Sequence, residues 1–381
     1  MNTKFDDMRP YIDAEIPAAM QRIAQSEYLK PICDFVYPGK DIEEIKKDLL
    51  SFTTIKDFQE TIMYQVNHQI IETTINHFSF DGIHHVDIQK KYLYISNHRD
   101  IMLDASLLQQ AFHHNGFPRT EITFGSNLMS SQLMIDIGKS NKMFKVTRGG
   151  NSREFYDHLL RLSQYIRYAI TEKGESVWMA QRNGRTKDGN DITDPGVIKM
   201  LCMSDNSDLV QSIGVLNIVP VAVSYQWEPC DFFKTRELYL SRDGVKYEKQ
   251  GEEDLISILT GITQQKGNVH FCLCQPIEKE IYADLANELP NTFFKKIAQR
   301  IDERIYQNYH LWNTNYIAHD IRSGTNHYAA HYTSDEKDIF IQRLNQVLNQ
   351  IDGDKEIISS IFLNIYANPV DKKNDFSSFL I

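Results

Sequence analysis

The segment Ser96-Asn-His-Arg-Asp-Ile-Met-Leu-Asp104 brings a histidine and two carboxylates within nine residues. Tyr92 to Ser96 has the composition of a strand, and Ile101 to Phe112 the apolar spacing of a helix. Asn97 and His98 therefore fall in the loop where the strand ends, and Asp100 is suited to cap the helix. Asp104 interrupts an apolar run of Ile101, Met102, Leu103, Ala105, Leu107, Leu108 and Ala111. A carboxylate there is costly unless it is paired or hydrogen-bonded, and His98 is the nearest partner along the chain. A histidine that donates one ring nitrogen to a carboxylate is held in one tautomer, and its other nitrogen can take a proton from a hydroxyl. The plainer reading is a structural histidine above a satisfied buried aspartate. The end of a strand, where α/β sheets bind ligands, favours the acid–base pair.

The elements that must hold this pair alternate between strand and helix from about residue 81 to 280. Glu121 to Gly125, Lys145 to Thr147, Ser176 to Ala180, Ile218 to Tyr225 and Asn268 to Cys274 read as strands, and Phe155 to Thr171 as a helix. Such alternation predicts a three-layer α/β domain. Residues 1–80 read as helical, with periodic runs at Ile42 to Leu50 and Phe58 to Ile75. Residues 281–381 return to helix at Asn291 to Tyr309, Ser334 to Ile351 and Asp354 to Ala367, the last expected to stop before Pro369. The chain is thus divided into an N-terminal helical region (1–80), an α/β domain (81–280) and a C-terminal helical region (281–381).

Composition narrows the partners. A net charge of −10 argues against a general nucleic-acid binder. The charge is uneven: residues 139–187 carry +7 and the remainder −17, so a local anion site is one reading and a solvated basic face the other. Five cysteines, with no C-x-x-C pair, do not form a disulfide framework, and a reducing, cytoplasmic setting is expected. Cys272 and Cys274 would share one face of a strand, as small core residues. The charged N-terminus does not read as a signal peptide. The longest apolar stretch, Ile213 to Val223, falls well short of the ~20 residues a spanning helix needs, so any membrane contact is expected to be peripheral.

Competing constellations are weaker. There is no G-x-S-x-G, Walker or G-x-G-x-x-G motif. His327 and His331, with Asp335, have metal-ligand spacing only if helical, and no metal is assigned. Tyr306, Tyr309, Trp312 and Tyr316 could face a bilayer, but helix packing is the preferred reading.

Four ordered blocks carry a resemblance. Asn97-His98 with Asp104 looks like the first block of the glycerol-phosphate and lysophosphatidic acid acyltransferase family. Phe144-Lys-Val-Thr-Arg148-Gly149 resembles the second, Trp178-Met-Ala-Gln-Arg182-Asn183-Gly184-Arg185-Thr186 the third, and Ile218-Val-Pro220-Val221-Ala-Val the fourth. Gln275-Pro276-Ile277 looks like the close of the strand that often ends this domain. The match covers about residues 90–280. Two departures stand out. Five residues separate His98 from Asp104 where the family has four, so either the loop is longer by one or Asp100 is the partner. Asp104 is preferred, because Asp100 already has a role as cap. Asn183 stands where the family has a glutamate, which leaves the acceptor open.

The resemblance implies a mostly parallel central sheet and direct acyl transfer without an acyl-enzyme. His98 would be the base and Asp104 its partner. Arg148, Arg182 and Arg185 would bind an acceptor phosphate, and Asn183, Gly184 and Thr186 would shape the acceptor loop. The donor would be an acyl carrier protein or coenzyme A thioester, with no further cofactor. The acceptor would be glycerol 3-phosphate or lysophosphatidic acid in phospholipid synthesis, at the inner face of the cytoplasmic membrane. A non-catalytic lipid- or carrier-binding paralogue and a thioesterase are the alternatives.

Overall fold

Seven short strands, most of them apolar on both faces, assemble into one sheet. They are β1 (Ile75–Asp81), β2 (Leu93–Ser96), β3 (Glu121–Gly125), β4 (Met143–Val146), β5 (Val177–Ala180), β6 (Ile218–Tyr225) and β7 (Gly267–Leu273). The computed structural model describes residues 3–378 apart from 130, 148, 206, 246 and 249–251. The strand order is β1-β7-β6-β2-β5-β3-β4. β4, β3, β5, β2 and β6 run parallel to one another; β7 is antiparallel to β6 and parallel to β1. The fold is therefore α/β with a mostly parallel sheet, and the C-terminal ends of five strands lie along one edge.

Alternate residues of the central strands feed two separate cores, which is why those strands read as continuous apolar runs. Leu93, Ile95, Val177, Met179 and Ile218 pack with Tyr165 and Ile166 of the helix Ser152–Tyr168 and with Ile297, Ile301 and Ile305 of the helix Pro290–Gln307. Tyr94, Trp178, Val219, Val221 and Val223 pack with Leu103, Leu107, Leu108 and Phe112 of the helix Leu103–His114. All eight residues of β6 are buried. Among the described residues no helix is long and apolar enough to cross a membrane.

Two further helical cores lie outside the sheet. One is built on Ile16, Met20, Leu29, Ile45 and Phe58, and is tied to the helix Gln132–Ser140 by Arg22, whose Nε donates to buried Asp136 at 2.8 Å. The other gathers Phe340, Phe362 and Tyr366 from the C-terminal helices.

Two departures from the sequence reading concern β1 and the last helix. β1 comes from residues expected to be helical: the helix Tyr64–Thr74 stops, and Ile75–Asp81 joins the sheet edge beside β7. The strand, INHFSFD, has too little apolar content to announce itself, because as an edge strand it is buried on few sides. The last helix does not stop before Pro369 but runs from Lys355 to Ser378 with the proline inside it. Pro369 has no N–H for the carbonyl of Ile365. Gly189 approaches that carbonyl so closely that a Cβ built on it would stand 2.2 Å from the oxygen.

Candidate active site

The loops after β2, β5 and β6 meet at the C-terminal edge of the sheet, where open α/β sheets hold their ligands. Asn97 ties two of the strands together: its Nδ2 donates to Val223 O at 2.9 Å, and its Oδ1 accepts from Val223 N at 2.8 Å. That double bond sets where the β2 loop leaves the sheet, and His98 follows.

His98 and Asp104 meet. Nδ1 lies 2.9 Å from Asp104 Oδ2; since the carboxylate can only accept, Nδ1 carries a proton, and in the neutral ring Nε2 presents its lone pair. The same Oδ2 accepts from the backbone N–H groups of Arg99 at 2.6 Å and Asp100 at 3.0 Å, while Tyr225 donates its phenol to Oδ1 at 2.9 Å. Four donors on a fully buried carboxylate answer the cost of placing it in an apolar helix. Burial first, and then the Asp104 charge, push the Tyr225 phenol well above its ordinary value, so it stays a donor. The ring of His98 stands edge-on to Trp178, with centroids 6.0 Å apart.

The extra residue between His98 and Asp104 is taken up before the helix. The helix begins at Leu103 rather than Ile101, and Asp100 Oδ1 accepts from the N–H groups of Met102 and Leu103, both at 2.9 Å. Asp100 thus caps the helix, and Asp104 is the partner of His98.

The β5 loop lies directly against this turn. Thr186 N donates to His98 O at 2.7 Å, and Gln181 N to Ser96 O at 2.9 Å. Gly184 bends the loop with a φ of +76°, and Asn183 is exposed at its tip. Arg185 is nine-tenths buried beside Cys230, and its Nη1 has no protein partner among the described residues. Thr186 Oγ1 is likewise buried without a partner. Arg182 is half-buried and forms no ion pair among the described residues. Arg148 lies outside the described residues; β4 ends two positions before it.

Five of the eleven basic residues between 139 and 187 are paired elsewhere. Lys142 pairs with Glu175 at 2.7 Å and Arg167 with Asp205 at 3.1 Å, while Arg161 pairs with Asp7, Lys173 with Glu121 and Lys187 with Glu237. Part of the basic charge between 139 and 187 is therefore spent on ion pairs within the protein, in which Arg182 and Arg185 take no part among the described residues.

A buried ionic network beneath the histidine loop escapes the sequence reading. Arg99 donates to Asp191 at 2.6 Å and to Glu228 at 3.2 Å; Lys234 bonds Glu228 at 2.5 Å and the carbonyl of Arg99 at 2.6 Å. Asp191 also accepts from Asn97 Nδ2 at 3.1 Å and Tyr309 at 2.5 Å. Burial works against the Arg99 cation, but Asp191 and Glu228 outweigh it and hold its pKa well above the ordinary value. Tyr306 reaches the carbonyl of Asp191, so both tyrosines serve internal packing. His331 stacks on Tyr316, centroids 4.3 Å apart, in a 3-10 turn rather than a helix.

No family model matches the chain, and no curated protein matches it. Comparison with solved structures returns the 1-acyl-sn-glycerophosphate (LPA) acyltransferase PlsC from Thermotoga maritima, at 11% identity and a TM-score of 0.36, over 76% of this chain and 94% of that one. A likeness of that degree carries no weight for activity.

Proposed function

We propose that this chain transfers a fatty acyl group from a thioester to the hydroxyl of a phosphorylated glycerolipid precursor. The observation that carries the reading is the His98–Asp104 pair, with Nδ1 committed to the carboxylate at 2.9 Å and Nε2 left to act on a hydroxyl. In this reaction Nε2 takes the acceptor's proton as its oxygen attacks the thioester carbonyl. The tetrahedral intermediate then collapses, the C–S bond breaks, and the imidazolium returns the proton to the leaving thiolate. The N–H groups of Arg99 and Asp100 are held by Asp104, so the donors that steady the oxyanion would be other groups.

Arg185, with Arg182 and Arg148, would meet the acceptor phosphate, since guanidinium groups bind phosphate in a bidentate way. Gly184, Asn183 and Thr186 would shape the acceptor loop. The donor would be acyl carrier protein or coenzyme A thioester, and no cofactor is invoked. The enzyme would work at the cytoplasmic face of a membrane as a peripheral protein.

The test is a panel of acceptors (glycerol 3-phosphate, lysophosphatidic acid and an unphosphorylated amphiphile) with one labelled acyl donor of each kind, read by lipid mass spectrometry. Acceptor-dependent ester formation that is lost in His98→Ala is expected. Release of free fatty acid regardless of acceptor would replace the proposal with a thioesterase, and binding without turnover with a carrier-binding protein.

A further inference from the structure

One aromatic side chain bears on the imidazole of His98. Trp178 stands on β5 opposite Tyr94 of β2, so its indole shares the sheet face that the helix Leu103–His114 covers. Side chains in a strand lean along its direction, and this one leans toward the C-terminal edge. Its Nε1 donates to Ser96 Oγ at 3.1 Å, and its ring stands at 71° to that of His98 with centroids 6.0 Å apart. Edge-to-face rings are in contact at that separation.

The indole is fixed where the imidazole is not. Trp178 is buried, and so is Ser96 at the end of β2, which shields their hydrogen bond from water. Trp178 also sits within the sheet, paired with Tyr94 on one side and Ile122 on the other. His98 lies in a loop, past the last paired residue of β2. Asp104 holds its ring at one point, through Nδ1 at 2.9 Å. A single hydrogen bond sets the tautomer but leaves the ring free to tilt about the line from Nδ1 to Oδ2. Such a tilt swings Nε2, the far nitrogen. A rigid side chain against the ring removes that freedom.

We propose that Trp178 is a positioning residue for His98: anchored by Ser96, the indole holds the imidazole at the tilt that aims Nε2 at the acceptor hydroxyl. The role rests on the acyl-transfer reading and adds a part to it. No bond is made or broken at Trp178. It acts through His98, by limiting the ring orientations that must be given up when the hydroxyl, Nε2 and the thioester carbonyl come into line. A displacement of about 1 Å costs such a reaction on the order of a hundredfold. A loosened imidazole therefore registers in kcat, while the binding of either substrate stays as it was.

Two variants of the full-length protein test this, assayed with whichever of glycerol 3-phosphate and lysophosphatidic acid turns over faster, beside thermal denaturation. Trp178→Phe keeps an aromatic ring in the core and removes the donor to Ser96. Ser96→Ala leaves the indole in place but unanchored. Trp178→Phe is expected to lower kcat by about tenfold or more, with KM for either substrate within about twofold. Ser96→Ala is expected to lower kcat in the same sense by less. In the His98→Ala background Trp178→Phe should lower the residual turnover no further, because no imidazole is left to hold. An unchanged kcat in folded Trp178→Phe, a rise in KM alone, or an equal loss with and without His98 would each overturn the proposal. Should Trp178→Phe fail to fold, an unchanged kcat in folded Ser96→Ala overturns it. Wild-type turnover in His98→Ala would instead refute the acyl-transfer reading, and a His98-dependent reaction indifferent to Trp178 would refute this role alone.

Discussion

Tyr225 donates its phenol to Oδ1 of Asp104 at 2.9 Å and leaves Oδ2 for His98. The carboxylate under the histidine is therefore shared, and part of its charge is drawn away from the imidazole. Tyr225→Phe removes that donor and strands a buried oxygen, at a cost of about 1–3 kcal/mol. Asp104 is then held by one donor fewer, and the imidazole it orients is placed less firmly. In acyl-transfer assays kcat is expected to fall about tenfold in a protein that still folds. An unchanged kcat in a folded Tyr225→Phe protein would mean that the reaction does not depend on Tyr225 fixing Asp104.

Removing the base itself has a larger effect. His98→Ala is expected to lower kcat by ~10²–10⁴, with a small loss in melting temperature, because Asp104 Oδ2 keeps the N–H groups of Arg99 and Asp100 as donors. Asp104→Asn should lower kcat comparably and also destabilise the fold, because the amide cannot accept from four donors at once. Steady-state kinetics beside thermal denaturation separates the two.

The sequence disclosed this pair because its signal is local. A carboxylate within an apolar helix needs a partner, and the loop before the helix supplies one. The five-residue spacing was ambiguous only because the helix start could not be placed: Asp100 bonds the N–H groups of Met102 and Leu103, so the turn absorbs the extra residue. The network of Arg99, Asp191, Glu228, Lys234 and Tyr309 was not legible. Its members are brought together by the ends of three strands and a C-terminal helix, and no periodicity joins them. β1 stayed hidden for a related reason: an edge strand needs little apolar content, and its pairing depends on residues near 270. The ion pairs inside the basic window were equally illegible, because four of the five carboxylates that take them lie outside it.

Asp191 is expected to be a stability determinant. Asp191→Ala leaves the Arg99 cation buried with only Glu228 nearby, and losing one partner of a buried ion pair costs about 3–5 kcal/mol. Chemical denaturation should show a lower midpoint with an unchanged slope. A loss below about 1 kcal/mol would mean that the network tolerates its own dismantling.

Arg185 tests the phosphate assignment. Its buried Nη1 has no protein partner among the described residues. Arg185→Ala should raise KM for a phosphorylated acceptor by at least about tenfold, as for loss of a charge-assisted hydrogen bond. KM for an unphosphorylated acceptor should change little. Equal effects on both would point to a structural role in the loop.

Asp302 makes stability depend on pH. Burial chiefly raises its pKa to about 7, although Thr193 donates to it through both N–H and hydroxyl. In the unfolded chain it ionises near the ordinary value of 3.8. Between those values the folded state holds the extra proton, so stability falls as pH rises from about 4 to about 7. Each pKa unit corresponds to roughly 1.4 kcal/mol. Asp302→Asn should flatten that decline and be more stable than wild type at pH 8 in thermal scans.

The close approach of Gly189 to the Ile365 carbonyl, together with the 2.7 Å bond from Asn368 Nδ2 to Asp188 O, has a bearing on biosynthesis. The loop that carries Arg182 and Arg185 is translated well before the helix it rests on, 180 residues separating Asp188 from Asn368. A nascent chain can pair His98 with Asp104 long before it can seat that loop. The loop that carries Arg182 and Arg185 is thus seated later than the His98–Asp104 pair, once the helix Lys355–Ser378 has been made.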